Sequence, residues 1–272
     1  MGECACSKIL KVEGGMRIVL IGAGRLATNV GKELSRNGHE IVQVYSRTME
    51  SAEMLANITG AEAVNDLSAV VKDADVYLVA VKDSVLKTLI PELCKGREEQ
   101  LFAHTAGSIE MNVFKGYAKH YGVFYPMQTF SKEREVDFQK VTCFVEASDA
   151  ESLEVLKALA LTITPKVMEL DTEHRRYLHL AAVFACNFAN HCFTLSAKVL
   201  EEKGIDFDVM LPLIDEMVRK VHTVHPKEAQ TGPAARGDNN VMEAQMKLLD
   251  DPAMKEVYRV LSKSISEVPL HG

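Results

Sequence analysis

The chain has 272 residues, of which 47% are hydrophobic and 25% are charged, and its formal net charge at pH 7 is −7. The length suits two domains or one large one, and the composition is typical of a globular protein and not of a disordered chain. Nucleic acids and anionic membranes bind basic surfaces, so the negative charge and the lack of a long Lys/Arg cluster argue against both partners.

The first segment, residues 1–15, lacks the apolar core of a signal peptide, and we expect a flexible leader there. The six cysteines form no metal-type Cys-x-x-Cys pair, so we interpret them as free thiols in a reducing cytosol. They are Cys4, Cys6, Cys94, Cys143, Cys186 and Cys192. The sequence therefore predicts a cytoplasmic protein.

A short apolar run at residues 18–21 has the β-branched character of a strand that is buried on both faces. Residues 26–34 follow the spacing of an amphipathic helix. Between them lies Gly22-x-Gly24-x-x-Ala27, and a strand, a glycine turn and a helix in this order form the dinucleotide-binding fingerprint. The alternative is an ordinary strand-to-helix turn.

Each small residue of this turn has a physical role in the fingerprint. Gly22 permits the tight turn, Gly24 allows a pyrophosphate to approach the backbone, and Ala27 lets the helix pack close to the strand. The phosphates would lie at the positive N-terminus of the helix. The candidate cofactor-binding residues of the turn are Gly22, Ala23, Gly24, Arg25 and Leu26.

The second strand, predicted at residues 40–45, ends in Ser46, Arg47 and Thr48, which we assign to cofactor binding. A carboxylate that binds the ribose 2′-hydroxyl of NAD is expected about 20 residues after the glycines, and none is present at this strand end. Arg47 supplies a planar, permanently charged donor that suits a 2′-phosphate. The sequence therefore favours NADP over NAD. The alternative is an Arg47 that only caps or solvates the loop.

Strand-like and helix-like segments continue to alternate up to residue 170. Strands are predicted at 63–64, 76–81, 101–103, 122–125, 141–146 and 166–170, and helices at 66–71, 84–94 and 150–161. Repeated βαβ units predict an α/β fold with a Rossmann-type, doubly wound and mainly parallel sheet. We assign residues 16–170 to an NADP-binding Rossmann domain.

Residues 171–272 show helical patterns only, and we assign them to a helical domain for substrate binding and dimerisation. Asp171 or Thr172 can cap a long helix, and Gly204 can end it. Residues 177–197 carry no formal charge, but their polar side chains are costly in hydrocarbon, so a soluble helix is favoured over a membrane span. Further helices are predicted at 207–224, 239–249 and 252–268. These helices and a second subunit are expected to cover the long helix, which predicts a homodimer.

Polar stretches follow several of the predicted strands. In an open α/β sheet, ligands bind at the carboxyl ends of the strands. We therefore assign five residues after the fourth and fifth strands to cofactor binding. They are Val81, Lys82, His104, Ala106 and Gly107.

Four motifs carry a resemblance to a known family. They are His104-Thr105-Ala106-Gly107-Ser108, Tyr125-Pro126-Met127-Gln128-Thr129-Phe130, His179-Leu180-Ala181-Ala182 with Asn187, and Thr231-Gly232-Pro233 with Arg236-Gly237-Asp238. The layout resembles NAD(P)-dependent reductases that join a Rossmann-like domain to a helical dimerisation domain, including pyrroline-5-carboxylate reductases and β-hydroxyacid dehydrogenases. The motifs look most like a branch labelled NADP oxidoreductase with a C-terminal domain of unknown function. The resemblance covers about residues 16–261 and implies the fold and the cofactor but no substrate.

Two departures from these relatives restrict what the resemblance implies. β-Hydroxyacid dehydrogenases place a catalytic lysine one turn before an asparagine on the long helix, and residues 175–197 contain no lysine. Val81-Lys82-Asp83 stands where pyrroline-5-carboxylate reductases commonly have Val-Lys-Pro. Acid catalysis by lysine is therefore not transferred to this chain, and proline synthesis is disfavoured.

His179, Asn187 and Arg236 are the candidate catalytic residues. His179 and Asn187 are about 80° apart around an ideal helix at about 100° per residue, so both can face one groove. His179 could donate a proton to a carbonyl or imine, and Asn187 could orient the same substrate atom. Arg236 could bind a substrate carboxylate, with Asp238 fixing its guanidinium or capping the next helix. The alternatives are a hydrogen-bonded core histidine, an asparagine that joins helices and a surface ion pair.

The sequence thus predicts an NADP-dependent oxidoreductase that transfers a hydride between NADP(H) and a small carbonyl, imine or hydroxy acid, in the crevice between two domains. A non-catalytic NADP-binding sensor or scaffold is the rival class, because no catalytic lysine is evident. A deazaflavin in place of the nicotinamide is a third reading, which Arg47 disfavours. No metal is expected, because His222 and His225 lack an evident third ligand.

Overall fold

The structure, a computed structural model, describes residues 14–131 and 134–267. The leader predicted at residues 1–15 lies outside the described residues except for its last two glycines. The chain divides into two compact units, Met1–Val183 and Phe184–Gly272. This division falls later in the chain than the boundary predicted after residue 170.

The first unit contains one eight-stranded sheet with the strand order β3-β2-β1-β4-β5-β6-β7-β8. The strands are β1 (Arg17–Ile21), β2 (Glu40–Tyr45), β3 (Glu62–Val64), β4 (Val76–Val79), β5 (Leu101–His104), β6 (His120–Met127), β7 (Thr142–Ala147) and β8 (Lys166–Glu169). Neighbouring strands are parallel except for β6 and β7, which are antiparallel. The predicted α/β class, with a mainly parallel Rossmann-type sheet followed by a helical region, is confirmed.

Five α-helices begin within the described residues of the first unit. They are α1 (Arg25–Arg36), α2 (Met49–Thr59), α3 (Asp83–Cys94), α4 (Ala150–Ile163) and α5 (Thr172–Ala182). Helix α2 was not predicted from the sequence, because its buried stripe is short and consists of Ala52, Leu55 and Ala56. The helix predicted at residues 66–71 is only a 3₁₀ turn, Leu67–Ala69, with Asp66 accepting a capping bond from the Ser68 N–H at 2.8 Å.

Alternate residues of the central strand β1 face two separate apolar cores. Ile18 and Leu20 belong to the cluster formed with α1, α2 and α4, whereas Val19 and Ile21 belong to the cluster formed with α3. All four side chains are at most 1% exposed, as expected for a strand buried on both faces. Because helices cover both faces of the sheet, the ends of its strands are where a ligand can approach it.

The first turns of α5 are held against the sheet by a buried ion pair. Arg175 is fully buried and forms a salt bridge with Glu146 of β7. The guanidinium also donates to the carbonyl oxygen of Ile109 at 2.6 Å, and the backbone N–H of Thr172 donates to Glu146 at 3.0 Å. These contacts explain why the first compact unit includes α5 although the sequence pattern turns helical there.

The second unit is helical in its described residues. Its helices are α6 (Ala189–Glu201), α7 (Leu211–Val221), α8 (Pro226–Ala229), α9 (Pro233–Arg236), α10 (Asn239–Lys247) and α11 (Pro252–Glu267). Pro212 lies in the first turn of α7, where its missing N–H costs no helical hydrogen bond. The sequence analysis missed α8 and α9, which have only four residues each.

The helices α5 and α6 are parts of one 30-residue helix, Thr172–Glu201, which contains the π-helical segment Val183–Phe188. Hydrogen bonds in a π-helix join residues five apart. The uniform rotation of about 100° per residue that related His179 to Asn187 therefore does not hold across this segment, and the predicted angle of about 80° between them is wrong.

The long helix is apolar and exposed. Among the described residues it is the one helix long and apolar enough to cross a membrane, by length and composition alone, and none of its most apolar window is buried. In the described part of the second unit, the buried hydrophobic residues are Ala234 and Met254. In a single chain the long helix is therefore exposed, and its predicted cover by the later helices together with a second subunit stays a prediction.

The buried ion pair on α5 predicts a large stability effect. Replacement of Arg175 with Met leaves the Glu146 carboxylate without its cation, and removal of one partner from a buried pair costs about 3–5 kcal/mol. We therefore expect Arg175→Met to lower the free energy of unfolding, measured by urea denaturation of the full chain, by about 3 kcal/mol.

The next residue on the helix provides the control. The Arg176 side chain is 59% exposed and lies 3.8 Å from Glu110, which is itself 68% exposed. An exposed pair of this kind contributes about 0–1 kcal/mol, so Arg176→Met should leave the urea midpoint almost unchanged. Equal destabilisation by the two substitutions would contradict an anchoring role for Arg175.

Candidate functional site

The carboxyl ends of three central strands lie side by side. Ile21 of β1 pairs with Tyr45 of β2 and with Val79 of β4. The Gly22 N–H donates to the Tyr45 carbonyl oxygen at 2.7 Å, and the Ala80 N–H donates to the Ile21 carbonyl oxygen at 2.8 Å. The three predicted cofactor-binding turns, which follow β1, β2 and β4, therefore meet at one edge of the sheet.

The two glycines of the first turn have different physical requirements. Gly22 has a φ of 112°, and a Cβ there would lie 2.4 Å from the carbonyl oxygen of Ala80, so only glycine fits this turn. Gly24 is the N-cap residue of α1 and has no positive φ, and a Cβ there would meet no atom within 4 Å. The space beside Gly24 is open to a ligand that approaches the backbone.

The N-terminus of α1 fits an anionic group. The first N–H groups of a helix have no intrahelical partner, and Gly24 offers no side chain that could cap them. The first turn contains no acidic residue. The small Ala27 is 1% exposed and brings the helix onto the core next to β1. These features fit the pyrophosphate of a dinucleotide, which binds at such a terminus.

Three cations surround this edge of the sheet. Arg25, Arg47 and Lys82 are exposed, and none of their side chains forms a hydrogen bond or ion pair with another residue in the described ranges. Ser46 is half-buried, and its N–H donates to the carbonyl oxygen of Val64 at 3.1 Å. The Thr48 hydroxyl donates to Ser51 at 2.9 Å. Arg47 is thus available to an anionic ligand.

His104 does not offer its side chain to a ligand. It is fully buried at the end of β5, and its Nδ1 accepts a hydrogen bond from the Ala106 N–H at 3.2 Å. Burial, with the charge of Arg175 as a second cause, lowers the pKa of the His104 imidazole to about 3. The ring is therefore neutral at physiological pH and stacks on Phe114 with a centroid distance of 6.0 Å. Any contact of His104 with a cofactor would be through its backbone.

His179 lies against the loop that follows β5. A Cβ on Gly107 would be 2.5 Å from Nδ1 of His179, so the imidazole ring packs directly on the glycine backbone. The same Nδ1 is 3.0 Å from the hydroxyl oxygen of Tyr125, a residue of β6. Gly107, Tyr125 and His179 therefore form one cluster within the first unit, and the His179 ring is half-buried.

The other two candidate catalytic residues belong to the second unit. Asn187 is exposed and lies in the π-helical segment. Arg236 is also exposed, and its guanidinium donates to Asp238 at 3.0 Å. Asp238 occupies the N-cap position of α10 without a side-chain capping bond, so of its two predicted roles it pairs with Arg236. His179 belongs to the first unit, so neither unit by itself contains all three candidate catalytic residues.

Several residues near His179 were not identified from the sequence as functional. Tyr125 stood in a motif but received no role, because its partner is far away in the sequence. The hydroxyl of Ser108 donates to the carboxylate of Asp83 at the start of α3. The position of each residue at a strand end was the available signal, and the pairing required the structure.

A second cluster has the residue types of a hydrolytic triad but not its geometry. Asp149 and Ser152 both approach the same ring nitrogen of His120, at 3.1 and 3.5 Å. A triad places the nucleophile and the carboxylate on opposite ring nitrogens. Asp149 instead caps α4 by accepting from the Ser152 N–H at 2.8 Å. Over the ranges that the structure describes, no three His, Cys, Asp or Glu side chains are grouped as a metal site requires.

Two families match the sequence in consecutive segments. Residues 17–103 match the family described as "NADP oxidoreductase coenzyme F420-dependent", and residues 141–265 match "Domain of unknown function (DUF2520)". The sequence has no significant match among curated proteins.

Solved structures of similar fold cover nearly the whole chain. A Bacteroides fragilis protein described as a "putative NADP oxidoreductase" is 55% identical, with a TM-score of 0.90 over 94% of this chain and 99% of its own. A reductive aminase from Aspergillus terreus, in complex with NADPH and ethyl-5-oxohexanoate, is 13% identical, with a TM-score of 0.69 over 92% and 93% of the two chains. A 1-pyrroline-5-carboxylate reductase from Streptococcus pyogenes is 13% identical, with a TM-score of 0.61 over 93% and 98%.

The buried, neutral His104 predicts a specific pH dependence of stability. Its pKa is about 3 in the folded chain and about 6.5 when unfolded, so the unfolded state binds an extra proton between these values. Stability should therefore fall as pH decreases from about 6.5 towards 3, by about 1 kcal/mol per pH unit from this residue. His104→Asn should remove that contribution, measured by urea denaturation between pH 4.5 and 7.

The exposed His174 is the matched control. Its hydrogen bond with Asp171 raises its pKa, so its contribution to stability is present at low pH and is lost as pH rises. His174→Asn should not flatten the acid slope of the native protein. An unchanged slope in His104→Asn would show that His104 is not neutral in the folded state.

Proposed function

This chain belongs to the NAD(P)-dependent oxidoreductase family that joins an NADP oxidoreductase domain to the C-terminal domain DUF2520, and on this premise we propose that it reduces a small carbonyl or imine, or oxidises the corresponding hydroxy acid, with NADP(H). The observation that carries the proposal is the open space beside Gly24 at the N-terminus of α1, near the strand end that carries Arg47, whose side chain has no partner in the ranges that the structure describes. When bound, the nicotinamide would supply or accept the hydride.

The residues of the first unit provide a consistent cradle for NADP. Free N–H groups at the start of α1 would bind the pyrophosphate. Arg47, at the end of β2, would bind the 2′-phosphate through charge-assisted hydrogen bonds. Backbone groups near Val81, Lys82 and Ala106 would line the path toward the nicotinamide. A reductive aminase and an imine reductase variant of similar fold are described in complex with NADPH and with NAD+, which supports a nicotinamide dinucleotide as the cofactor.

Cofactor titrations test the role of Arg47. The native protein should bind NADPH more tightly than NADH, and Arg47→Asp should erase or invert this preference. Loss of a charge-assisted phosphate contact costs about 1.5–3 kcal/mol, or roughly tenfold to 150-fold in affinity. Equal affinity of the native protein for both cofactors would refute the NADP assignment.

Gly24→Ala separates cofactor selectivity from cofactor binding. The new methyl group enters open space in the free protein, so the thermal midpoint should not fall. It would intrude on the pyrophosphate, which NADH and NADPH share, and should weaken both by a similar factor. Selective loss of NADPH in Gly24→Ala would place the pyrophosphate elsewhere.

We assign proton donation to His179, because its imidazole is half-buried beside the loop that follows β5 and an imidazole N–H can donate to a substrate atom. Asn187 would orient the substrate atom that receives the proton, and Arg236 would bind a substrate carboxylate. The structural alternatives are a histidine that only packs on Gly107 and an arginine that only pairs with Asp238.

Substitutions at these positions distinguish catalytic from structural roles. With a substrate found by screening carbonyl and imino compounds with NADPH, His179→Ala and Asn187→Ala should each lower kcat by about 10²–10⁴. Arg236→Ala should chiefly raise KM for carboxylate substrates. NADPH affinity should be unchanged in all three. Normal turnover together with a lower melting temperature in the His179 and Asn187 variants would make both residues structural.

Two other functions have specific support. The lack of lysine in residues 175–197 favours a non-catalytic NADP sensor or scaffold. Protein-dependent oxidation of NADPH with any compound in the screen would refute the sensor or scaffold function. The family description that includes coenzyme F420 favours a deazaflavin as the hydride partner. If a deazaflavin is the hydride partner, NADPH should reduce an added deazaflavin in the presence of the protein. The change in absorbance measures this reaction.

We also propose that the protein is a homodimer through its C-terminal helices. Large apolar side chains on the long helix and in α7 are exposed, and exposed apolar side chains in such number are normally covered by a partner. Examples are Tyr177, Leu180, Phe184, Phe188, Leu213 and Met217, which are 46–68% exposed. A symmetric second copy would offer the same surface and bury both.

Light scattering tests the dimer. The native protein should have about twice the 30.1 kDa chain mass at micromolar concentration. Phe184→Glu with Leu213→Glu should shift it to the monomer mass, because buried charges would be left unpaired. The control is Met54→Glu, at a residue of α2 that is 51% exposed, and it should leave the dimer mass unchanged. A monomeric native protein would refute the proposal.

A further inference from the structure

We propose that Tyr125 and Gly107 are positioning residues that fix the imidazole of His179 in one tautomer, with Nδ1 as hydrogen-bond acceptor and the proton on Nε2. The inference deepens the proposed function, on which the role of the Nε2 proton rests. Three observations support it: the packing of the ring on Gly107, its hydrogen bond to Tyr125, and the lack of any other hydrogen-bond partner for the ring among the described residues.

The first observation concerns the glycine. The φ of Gly107 is not in the left-handed region, so the backbone conformation does not require glycine there. Space does, because a Cβ would lie 2.5 Å from Nδ1, 2.6 Å from Cγ and 3.0 Å from Cβ of His179. No ordinary contact is this short, so any larger residue at this position would move the ring away from Tyr125.

The second observation concerns the hydroxyl. Tyr125 is 8% exposed, and its edge faces the His179 ring with a centroid distance of 6.2 Å and an interplanar angle of 71°. Its oxygen is 3.0 Å from Nδ1. A buried phenol retains its proton and needs an acceptor for it. Nδ1 is the acceptor within reach, which leaves the proton of the neutral ring on Nε2.

The charged groups around Tyr125 are consistent with a protonated phenol. Burial raises the pKa of its hydroxyl, the guanidinium of Arg175 acts in the opposite direction, and the carboxylate of Asp83 raises it further. Arg175 is itself neutralised by Glu146, and Asp83 accepts a hydrogen bond from Ser108. Tyr125 therefore remains a neutral hydrogen-bond donor across the physiological pH range, and it directs its proton to Nδ1 of the neutral His179 ring.

The consequence concerns the class of atom that His179 can recognise. An Nε2–H group donates a hydrogen bond and does not accept one. It is complementary to a carbonyl oxygen or an imine nitrogen, and it excludes a protonated amine at the same place, where two donors would meet. The tautomer therefore favours substrates that present an acceptor, which is the oxidised form of either substrate class.

Nitrogen NMR of the full-length protein tests the tautomer directly. The nine histidines are labelled with ¹⁵N, and the signals of His179 are identified by their loss in His179→Gln. Two-bond proton–nitrogen correlations at pH 8 should show a pyrrole-type Nε2 and a pyridine-type Nδ1 in the native protein. In Tyr125→Phe, which keeps the ring but removes the donor, both nitrogens should shift toward the average of a tautomer mixture.

Tyr121→Phe is the matched control, because Tyr121 lies on the same strand and its hydroxyl donates to Asn112 at 3.3 Å, away from His179. It should leave the His179 signals unchanged. Gly107→Ala should perturb them as Tyr125→Phe does, even if it destabilises the loop. A native His179 with its proton on Nδ1, or an unchanged tautomer in Tyr125→Phe, would overturn the inference.

The kinetic readout separates this inference from the proposed function. With an active substrate, Tyr125→Phe should lower kcat about tenfold and shift the alkaline limb of its pH profile, on which a proton donor loses its proton, while KM for NADPH stays the same. If no carbonyl or imine compound oxidises NADPH, the proposed function fails, whereas the tautomer measured without substrate still decides the role of Tyr125. A kcat and pH profile equal to those of the native enzyme would contradict the positioning role.

Discussion

The buried ion pair between Arg175 and Glu146 is the contact on which the candidate site depends. It joins the first turns of the long helix to strand β7 of the sheet. The rest of this helix is apolar and exposed. The packing of Leu178 on the apolar cluster around Tyr125 and the hydrogen bonds of Thr172 support the same position of α5 against the sheet. In this position His179, one turn further along the helix, lies against Gly107 and Tyr125. A buried charge pair is costly to form, but its directional contacts favour one arrangement, and here they fix the position of the proposed proton donor.

The fold could be predicted from the sequence because its signals are local. The apolar run of β1, the glycines of the following turn and the alternation of strands and helices each depend on neighbouring residues, and they reproduce the central strands closely. Helix α2 was not predicted because its buried stripe is short. The end of the first unit was not predicted for a different reason. Arg175 is a charged residue in a helical segment, and its partner lies on β7. Sequence patterns alone assign such an arginine to solvent.

The candidate site divides in the same way. The geometry of the turn after β1 was predicted because it is encoded in two glycines close together, and Gly22 and Gly24 have the distinct requirements that the fingerprint implies. The burial of the His104 ring was not predicted, because a histidine at a strand end gives no sign of whether its ring faces solvent or the core. Tyr125 was missed as a partner of His179 because the two lie in different elements, and only the folded chain brings them within 3.0 Å. The sequence thus predicts the features of the candidate site that depend on neighbouring residues. It does not predict the contacts between residues that are far apart in the chain.

The contact between Gly107 and His179 also constrains how this scaffold can change. The space above Gly107 is filled by another residue's ring, so the two positions form a single steric unit although they lie in different elements. A side chain at position 107 is compatible with the fold only if a smaller residue replaces the imidazole, and the reverse change opens a gap that a larger residue at 107 could fill. Libraries built to alter the substrate range should therefore vary both positions together, since single substitutions at 107 sample only variants in which the histidine is displaced.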